Sequence, residues 1–222
     1  MEKTEEQGKM TDFRRHPVVA LDIGGVCISL NHEKIAHVLG VRSFSEVEPG
    51  FLKACTLLEQ DKISHDAWMD EFCRITGNRF TRGALMELWN TMIGPALPGM
   101  TEAVRDLADR GIRFVYLSNT SREHMDIFFS TNAFSHLVTG GIFSYSERIM
   151  KPEAAIYQAF EKRYGVPMAY FDDRQENIDG ALHLHWNAIL FRSPEQFHQE
   201  TLSALKKLYE NTEKSENNRK IF

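Results

Sequence analysis

The stretch Val18–Val26, with the sequence VVALDIGGV, decides the fold class of this chain. An apolar run typical of a buried strand stops at the carboxylate of Asp22, and the glycines that follow permit a sharp turn. A carboxylate in that position is presented as a nucleophile or as a metal ligand. An Asp at the end of a strand also serves turns and helix caps, so other segments must decide between these interpretations.

Three later segments repeat the pattern of polar groups at the end of an apolar run or in a loop. They are Phe114–Thr120 (FVYLSNT), Lys151–Glu153 (KPE) and Ala169–Asp173 (AYFDD), the last followed by Asn177. The order and chemistry of the four segments resemble the haloacid dehalogenase (HAD) superfamily of Mg²⁺-dependent phosphohydrolases. The resemblance covers nearly the whole chain, and it implies a hydrolase of phosphate esters that uses Mg²⁺.

Composition and charge narrow the class of protein further. A chain of 222 residues with 42% hydrophobic content can bury a substantial core, as one domain with an insertion or as two small domains. The net charge of -5 offers no basic face for nucleic acid, and no apolar run is long enough to span a membrane. Residues 1–16 are polar and do not resemble a signal peptide. We therefore expect a soluble, cytoplasmic protein with neither a nucleic acid nor a membrane as its partner.

The chain alternates strand-like runs with longer helix-like ones, which predicts a Rossmann-like α/β fold, a parallel sheet with helices on both faces. The predicted strands are Val18–Leu21, Phe114–Leu117, Gly141–Phe143, Ala169–Phe171 and Ala188–Phe191. Two helix starts are also predicted, since Thr120 with Glu123 forms a capping box and Pro152 sits just inside the next helix. The charged segment from Asn211 onward is expected to fray.

The first and second predicted strands are separated by far more chain than a βαβ crossover requires. The apolar residues of this segment recur at helical spacing, which predicts a small helical bundle inserted after the first strand. The bundle is expected to end at a hinge-like connection over Gly94–Gly99. We predict a Rossmann-like core of residues 1–30 and 97–222, and a helical cap of residues 31–96 over the active site.

The carboxyl ends of parallel strands meet at one edge of a sheet, so the polar groups that follow the strands should converge. Asp22 and Asp173 offer carboxylate oxygens and Gly24 offers a backbone carbonyl, which are ligands that suit Mg²⁺. Asp172 would act from behind these ligands. Adjacent carboxylates repel each other without a cation, which makes a metal the economical explanation for the acidic pair. The sequence therefore predicts a Mg²⁺ site at this edge.

The resemblance assigns further roles to individual residues. It implies that Asp22 is the nucleophile, that Ser118 binds the phosphoryl group, and that Lys151 is the charge-balancing base. The ammonium group of Lys151 would also bind a phosphoryl oxygen. Asn119 stands next to Ser118, where free N–H groups at the start of the following helix would add to the phosphate site. Asn177 would orient its neighbours rather than react.

The chain departs from the family pattern at Gly24. Most phosphatases of the superfamily have a second Asp there, two residues after the nucleophile, which protonates the leaving group. Its absence leaves three explanations open: a leaving group that departs easily, a proton supplied by the cap residues Glu59, Asp61 or His65, or loss of phosphoryl transfer. The D-x-G-x-V variant resembles a subgroup that includes sugar-1-phosphatases.

We predict a Mg²⁺-dependent phosphatase that hydrolyses a small phosphate ester, such as a sugar phosphate, through an aspartyl-phosphate at Asp22. The alternative is a catalytically silent protein of the same fold that binds a ligand or regulates a partner. Dehalogenases of the superfamily usually lack a paired acidic motif, so Asp172 and Asp173 favour the phosphatase. We expect a small phosphorylated metabolite as the partner, and a monomer or a homodimer as the oligomeric state.

Overall fold

The computed structural model describes residues 16–219, with the side chains of the last helix described through residue 211. Its strands are β1 (Val18–Leu21), β2 (Ile28–Leu30), β3 (Ile93–Ala96), β4 (Arg113–Ser118), β5 (Val138–Phe143), β6 (Ala169–Asp172) and β7 (Ala188–Leu190). Five of them form a sheet in the order β5-β4-β1-β6-β7, in which every pair of neighbours is parallel. The remaining two, β2 and β3, pair antiparallel in a small separate sheet. The predicted α/β fold is confirmed.

Strand β1 occupies the centre of the sheet because its residues are all apolar and bury both faces. Successive side chains of a strand point to opposite faces. Val19 and Leu21 accordingly join one hydrophobic cluster, and Val18 and Ala20 join the cluster on the other side. The strand that precedes Asp22 is thus held by packing above and below, which fixes the position of the carboxylate.

Helices cover both faces of the sheet, as the alternating pattern predicts. They are α1 (His32–Leu39), α2 (Pro49–Glu59), α3 (His65–Ile75), α4 (Arg82–Asn90), α5 (Met100–Asp109), α6 (Arg122–Thr131), α7 (Ser144–Glu147), α8 (Ala154–Tyr164), α9 (Gln175–Leu182) and α10 (Pro194–Arg219). Apolar residues of α5, α6 and α10 pack on one face, and those of α8 and α9 pack on the other. Within the described residues, no helix combines the length and apolarity needed to cross a membrane.

Helices α1–α4 lie between β2 and β3 and bury an apolar cluster of their own. The rings of Trp68 and Trp89 meet in it, 4.9 Å apart between centroids. The structure has strand β3 where the sequence predicts a hinge-like connection. Gly94 permits this pairing, because a Cβ there would lie 2.2 Å from the Ser29 hydroxyl oxygen. Pro95 is tolerated because β3 has a single partner strand.

Three local expectations are wrong. The N-cap of α6 is Ser121 rather than Thr120, since the Ser121 hydroxyl accepts the His124 N–H at 3.4 Å. Helix α8 begins at Ala154, which leaves Pro152 outside it. The last helix continues past Asn211 to Arg219, because charged residues are good helix formers even without an apolar face.

Candidate active site

The polar residues that follow the strands meet at the carboxyl edge of the sheet. Asp22 follows β1, Ser118 ends β4 and Asp172 ends β6, and these three strands are neighbours. The backbone N–H of Asp22 donates to the carbonyl of Phe171 at 2.9 Å, so the ladder between β1 and β6 continues into the site. The side chains of Asp22, Ser118 and Asp172 are all buried. The topology therefore gathers groups that stand far apart in the sequence.

Lys151 lies at the centre of this group. Its ammonium contacts Asp22 Oδ1 at 3.0 Å and Asp172 Oδ2 at 2.5 Å. It also donates to the Leu117 carbonyl at 2.8 Å, so three acceptors fill its donor capacity. Burial alone would lower the pKa of Lys151, but the charges of Asp172 and Asp22 outweigh it and raise the pKa above its ordinary value. Lys151 is therefore a fixed positive charge between two carboxylates.

Asn119 holds the backbone of Lys151 in place. Its Oδ1 accepts the Lys151 N–H at 2.8 Å, and its Nδ2 donates to the Lys151 carbonyl at 2.9 Å. Both ends of the amide are thus used to position the lysine, although Nδ2 retains a second proton. The next N–H along the chain, that of Thr120, donates to the Ser144 hydroxyl at 2.9 Å. That amide is therefore not free to bind a phosphoryl oxygen.

Asp172 is saturated with hydrogen bonds. Besides Lys151, it accepts from the hydroxyl of Tyr170, from Asn177 Nδ2 at 2.9 and 3.1 Å, and from the Arg174 N–H at 2.9 Å. Burial alone would raise the pKa of Asp172, but the Lys151 ammonium and these donors hold it below its ordinary value. Asp172 is therefore an ionised anchor for Lys151, and Asn177 orients it as predicted.

Asp22 has a different electrostatic environment. Its Oδ1 accepts the N–H of Ile23 at 2.7 Å, and its backbone carbonyl accepts the Cys27 thiol at 3.1 Å. Burial raises the pKa of Asp22 to about 7, because the attraction of Lys151 does not fully offset desolvation and the repulsion of Asp172. A second cation beside Asp22 would stabilise the ionised form of this carboxylate.

A cation site is available beside it. Oxygens of Asp22, Asp172 and Asp173 lie within 4.8 Å of one another, and among the described residues this is the acidic cluster suited to a metal. Asp173 is exposed, and the other two are buried. Gly25 has a φ of +73°, and a Cβ there would lie 2.2 Å from Asp173 Oδ2. Because Gly25 has no side chain, the Asp173 carboxylate has room at this position. The three carboxylates together offer the oxygen ligands that a hard divalent ion such as Mg²⁺ prefers.

The space beside Gly24 is filled by a residue that the sequence did not single out. A Cβ at position 24 would lie 2.6 Å from Leu30 Cδ1. A side chain at this position would therefore have to displace the Leu30 side chain. Tyr170 was also missed, because it is an apolar-looking residue inside a buried strand. Its i, i+2 spacing from Asp172 is the signal that places both on one face of β6.

The three residues of the helical segment that are candidate proton sources lie in different environments. His65 faces the helical cluster, with its ring 5.5 Å from Trp68. Asp61 accepts from Arg148 at 3.3 Å on the surface. Glu59 is partly buried at the end of α2, and burial raises its pKa to about 7. The charges of Arg174, Asp22 and Lys151 all act on the pKa of this carboxyl group, so Glu59 lies near the site.

Comparison with known proteins places this geometry in context. A family profile for haloacid dehalogenase-like hydrolases matches residues 17–185. A HAD family enzyme from Bacteroides thetaiotaomicron, in complex with magnesium and inorganic phosphate, shares 20% identity with a TM-score of 0.68. The match covers 80% of this chain and 94% of that one.

Two further structures share the fold. A predicted HAD-like family hydrolase from Porphyromonas gingivalis is 21% identical with a TM-score of 0.64, and the match covers 79% of this chain and 90% of that one. L-2-haloacid dehalogenase from Xanthobacter autotrophicus, with chloropropionic acid covalently bound, is 13% identical with a TM-score of 0.57. That match covers 85% of this chain and 83% of the dehalogenase.

Proposed function

The chain belongs to the haloacid dehalogenase-like hydrolase family, and on that premise we propose that it is a Mg²⁺-dependent phosphatase acting through Asp22. The observation that carries the proposal is the buried Asp22–Lys151–Asp172 arrangement with the exposed Asp173 carboxylate beside it. The B. thetaiotaomicron enzyme of the same fold was solved in complex with magnesium and inorganic phosphate, which supports phosphate chemistry in this chain.

In the proposed reaction the Asp22 carboxylate attacks phosphorus in line with the bond to the leaving oxygen. That bond breaks, its electron pair goes to the leaving oxygen, and Asp22 becomes an acyl phosphate. Water then attacks the same phosphorus, which releases inorganic phosphate and restores the carboxylate. The Lys151 ammonium and the Ile23 N–H both bind Oδ1 of Asp22, so we assign the attack on phosphorus to Oδ2.

Other residues bind the phosphoryl group and the cation. The Ser118 hydroxyl at the end of β4 and the remaining amide proton of Asn119 are the proposed donors to phosphoryl oxygens. The Lys151 ammonium would join them by giving up one of its three present acceptors. Asp22, Asp173 and the Gly24 carbonyl would hold Mg²⁺, with Asp172 behind them. Mg²⁺ supplies positive charge that offsets the negative charge of the phosphoryl group and of the carboxylates.

The substrate is proposed to be a small phosphate ester, with sugar phosphates as the first class to examine because of the D-x-G-x-V pattern. We propose that the helical segment of residues 31–96 caps the site and selects this metabolite. The cytoplasmic location and the monomeric or homodimeric state stay predictions. A dehalogenase is less favoured, because the Asp172–Asp173 pair suits a cation that displacement of a halide does not require.

The test is phosphate release from sugar 1-phosphates, sugar 6-phosphates, nucleotides and acetyl phosphate, with Mg²⁺ and with EDTA. We expect Mg²⁺-dependent release that disappears in Asp22→Asn and persists in Asp126→Asn, a matched change at an exposed position. Circular dichroism should show both variants folded. Full activity of Asp22→Asn would remove Asp22 from the mechanism. Mg²⁺ binding without release from any substrate would favour a catalytically silent binding protein.

A further inference from the structure

The site lacks an evident proton donor for the leaving oxygen. An alkoxide is a poor leaving group at neutral pH unless an acid protonates it as the bond to phosphorus breaks. Position 24 has no side chain, and Leu30 fills the space beside it. Tyr170 donates to Asp172, and Cys27 donates to the Asp22 backbone. These protons are committed to structure, so the donor must come from elsewhere.

We propose that Glu59 is the catalytic residue that protonates the leaving oxygen of the substrate, an inference that rests on the proposed phosphatase function. The residue lies at the C-terminal end of α2, in the helical segment between β2 and β3. The proposal puts its carboxyl group on the side of the substrate opposite the Asp22 nucleophile. In-line displacement places the leaving group on that side.

The end of α2 is docked directly on the segment that carries Lys151. Gln60 Nε2 donates to Glu153 Oε1 at 3.4 Å, and Arg148 pairs with Asp61 at 3.3 Å. Gln60 and Asp61 directly follow Glu59 in the sequence, and Arg148 and Glu153 lie on either side of Lys151. The two contacts therefore bring the chain at Glu59 close to the chain at Lys151. The Glu59 carboxyl group has no hydrogen bond or ion pair among the contacts that the described part of the chain makes. A partly buried carboxyl group without a partner is available to a ligand.

The charges around Glu59 come from three elements. Asp22 follows β1, Lys151 precedes α8, and Arg174 precedes α9. Burial is the largest influence and raises the pKa of Glu59, Asp22 raises it further, and Arg174 and Lys151 act in the opposite direction. The resulting pKa of about 7 leaves about half of the carboxyl groups protonated at neutral pH, which suits a general acid.

His32 is the competing donor on the same side. Its ring lies 5.2 Å from that of Phe44, and burial together with the charge of Arg174 lowers its pKa. A neutral imidazole is a much weaker acid than a carboxyl group. Glu59 is therefore the better matched of the two side chains to protonation of an alkoxide near pH 7.

The step balances without any further reactant. Asp22 forms a bond to phosphorus, the bond from phosphorus to the leaving oxygen breaks, and that oxygen takes the Glu59 proton to leave as an alcohol. Glu59 is then a carboxylate. The water that later attacks the phosphoenzyme gives up a proton, which restores the Glu59 acid.

The experiment compares Glu59→Gln with the wild-type protein on two substrates. One is a sugar 6-phosphate, whose alkoxide leaving group needs a proton, and the other is acetyl phosphate, whose carboxylate leaving group does not. We measure kcat/KM, because it reports the steps up to formation of the phosphoenzyme. We expect a loss of about 10²–10⁴-fold on the sugar phosphate and of less than about threefold on acetyl phosphate.

The pH profile and a matched variant separate proton transfer from a structural role. In the wild-type protein, kcat/KM on the sugar phosphate should fall as pH rises through the pKa of Glu59. In Glu59→Gln this decrease of kcat/KM with rising pH should be absent. Glu87→Gln, the same chemical change at an exposed position of α4, should retain wild-type kcat/KM on both substrates. The Tm of Glu59→Gln and the shift in Tm on adding Mg²⁺ should match the wild-type values.

An equal loss of kcat/KM on both substrates would overturn the assignment, and so would no loss on either. If the wild-type protein is active, depends on Asp22 and tolerates Glu59→Gln on the sugar phosphate, the role of Glu59 falls while the phosphatase stands. If the wild-type protein hydrolyses neither substrate, the proposed function falls and the role of Glu59 falls with it.

Discussion

Replacement of Lys151 by Met removes a buried positive charge and keeps most of the length and apolar body of the side chain. The Lys151 side chain is 1% exposed, with its ammonium 3.0 Å from Asp22 and 2.5 Å from Asp172. Removing one partner of a buried ion pair costs about 3–5 kcal/mol, because a charge then stays buried without compensation. Each kcal/mol lowers Tm by about 2–4 °C in a chain of this size, so we expect a fall of about 6–20 °C at pH 8.

The fall in Tm caused by Lys151→Met should be smaller at low pH. Burial favours a raised pKa at Asp172, and in the wild-type protein Lys151 outweighs that effect and holds the pKa below its ordinary value. Without the ammonium the pKa of Asp172 rises, and below it the group binds a proton and carries no charge. The variant thus regains stability as pH falls, while the wild-type protein gains nothing from this group. We expect a clearly smaller difference in Tm at pH 5 than at pH 8.

Thermal unfolding followed by circular dichroism, without Mg²⁺, measures both differences. Lys206→Met is the matched control, since that side chain is 80% exposed and its nitrogen lies 3.9 Å from Glu210. We expect the control to change Tm by less than about 2 °C. A fall in Tm for Lys151→Met no larger than that of the control would refute the argument, as would equal falls at pH 5 and pH 8.

Two further predictions concern the cation. Gly25→Ala should raise the Mg²⁺ concentration needed for half-maximal activity at least tenfold, because the new Cβ would meet Asp173 Oδ2 at 2.2 Å. Gly40→Ala has the same left-handed backbone with nothing within 4 Å, so it should leave the Mg²⁺ titration unchanged, and equal titrations of the two variants would contradict the role of Gly25. Because burial raises the pKa of Asp22 to about 7, ionisation of this group costs stability as pH rises from about 4 to about 7. Mg²⁺ should therefore raise Tm more at pH 8 than at pH 5 in thermal unfolding, and equal increments at the two pH values would count against this.

The strands and the residues at their ends could be predicted from the sequence. Asp22, Ser118 and Asp172 each follow an apolar run that is buried on both faces, and in a parallel sheet such runs end at one edge. Lys151 was found only through its place in the order of motifs. Its ammonium reaches the site from a loop, and no periodic pattern marks such a contact.

Other features depend on geometry that a sequence does not encode locally. The N-cap at Ser121 rather than Thr120 is decided by backbone angles at one residue, which composition does not resolve. Leu30 reaches Gly24 only because the chain turns between them and β2 then pairs with β3. Glu59 looked like one of several polar residues on a helix, and its burial at the site follows from how α2 docks on the Lys151 segment.

The antiparallel pair of β2 and β3 sets the two ends of the helical segment side by side, since Ile28 pairs with Ala96. The distance between the two ends of the segment is therefore fixed, whatever the length of the segment. The entropic cost of bringing the ends together grows only slowly with added residues. Natural variation can lengthen, shorten or exchange these helices without rebuilding the sheet beneath them. The site proposed here for bond cleavage could in this way be adapted to new metabolites through changes in the helical segment alone.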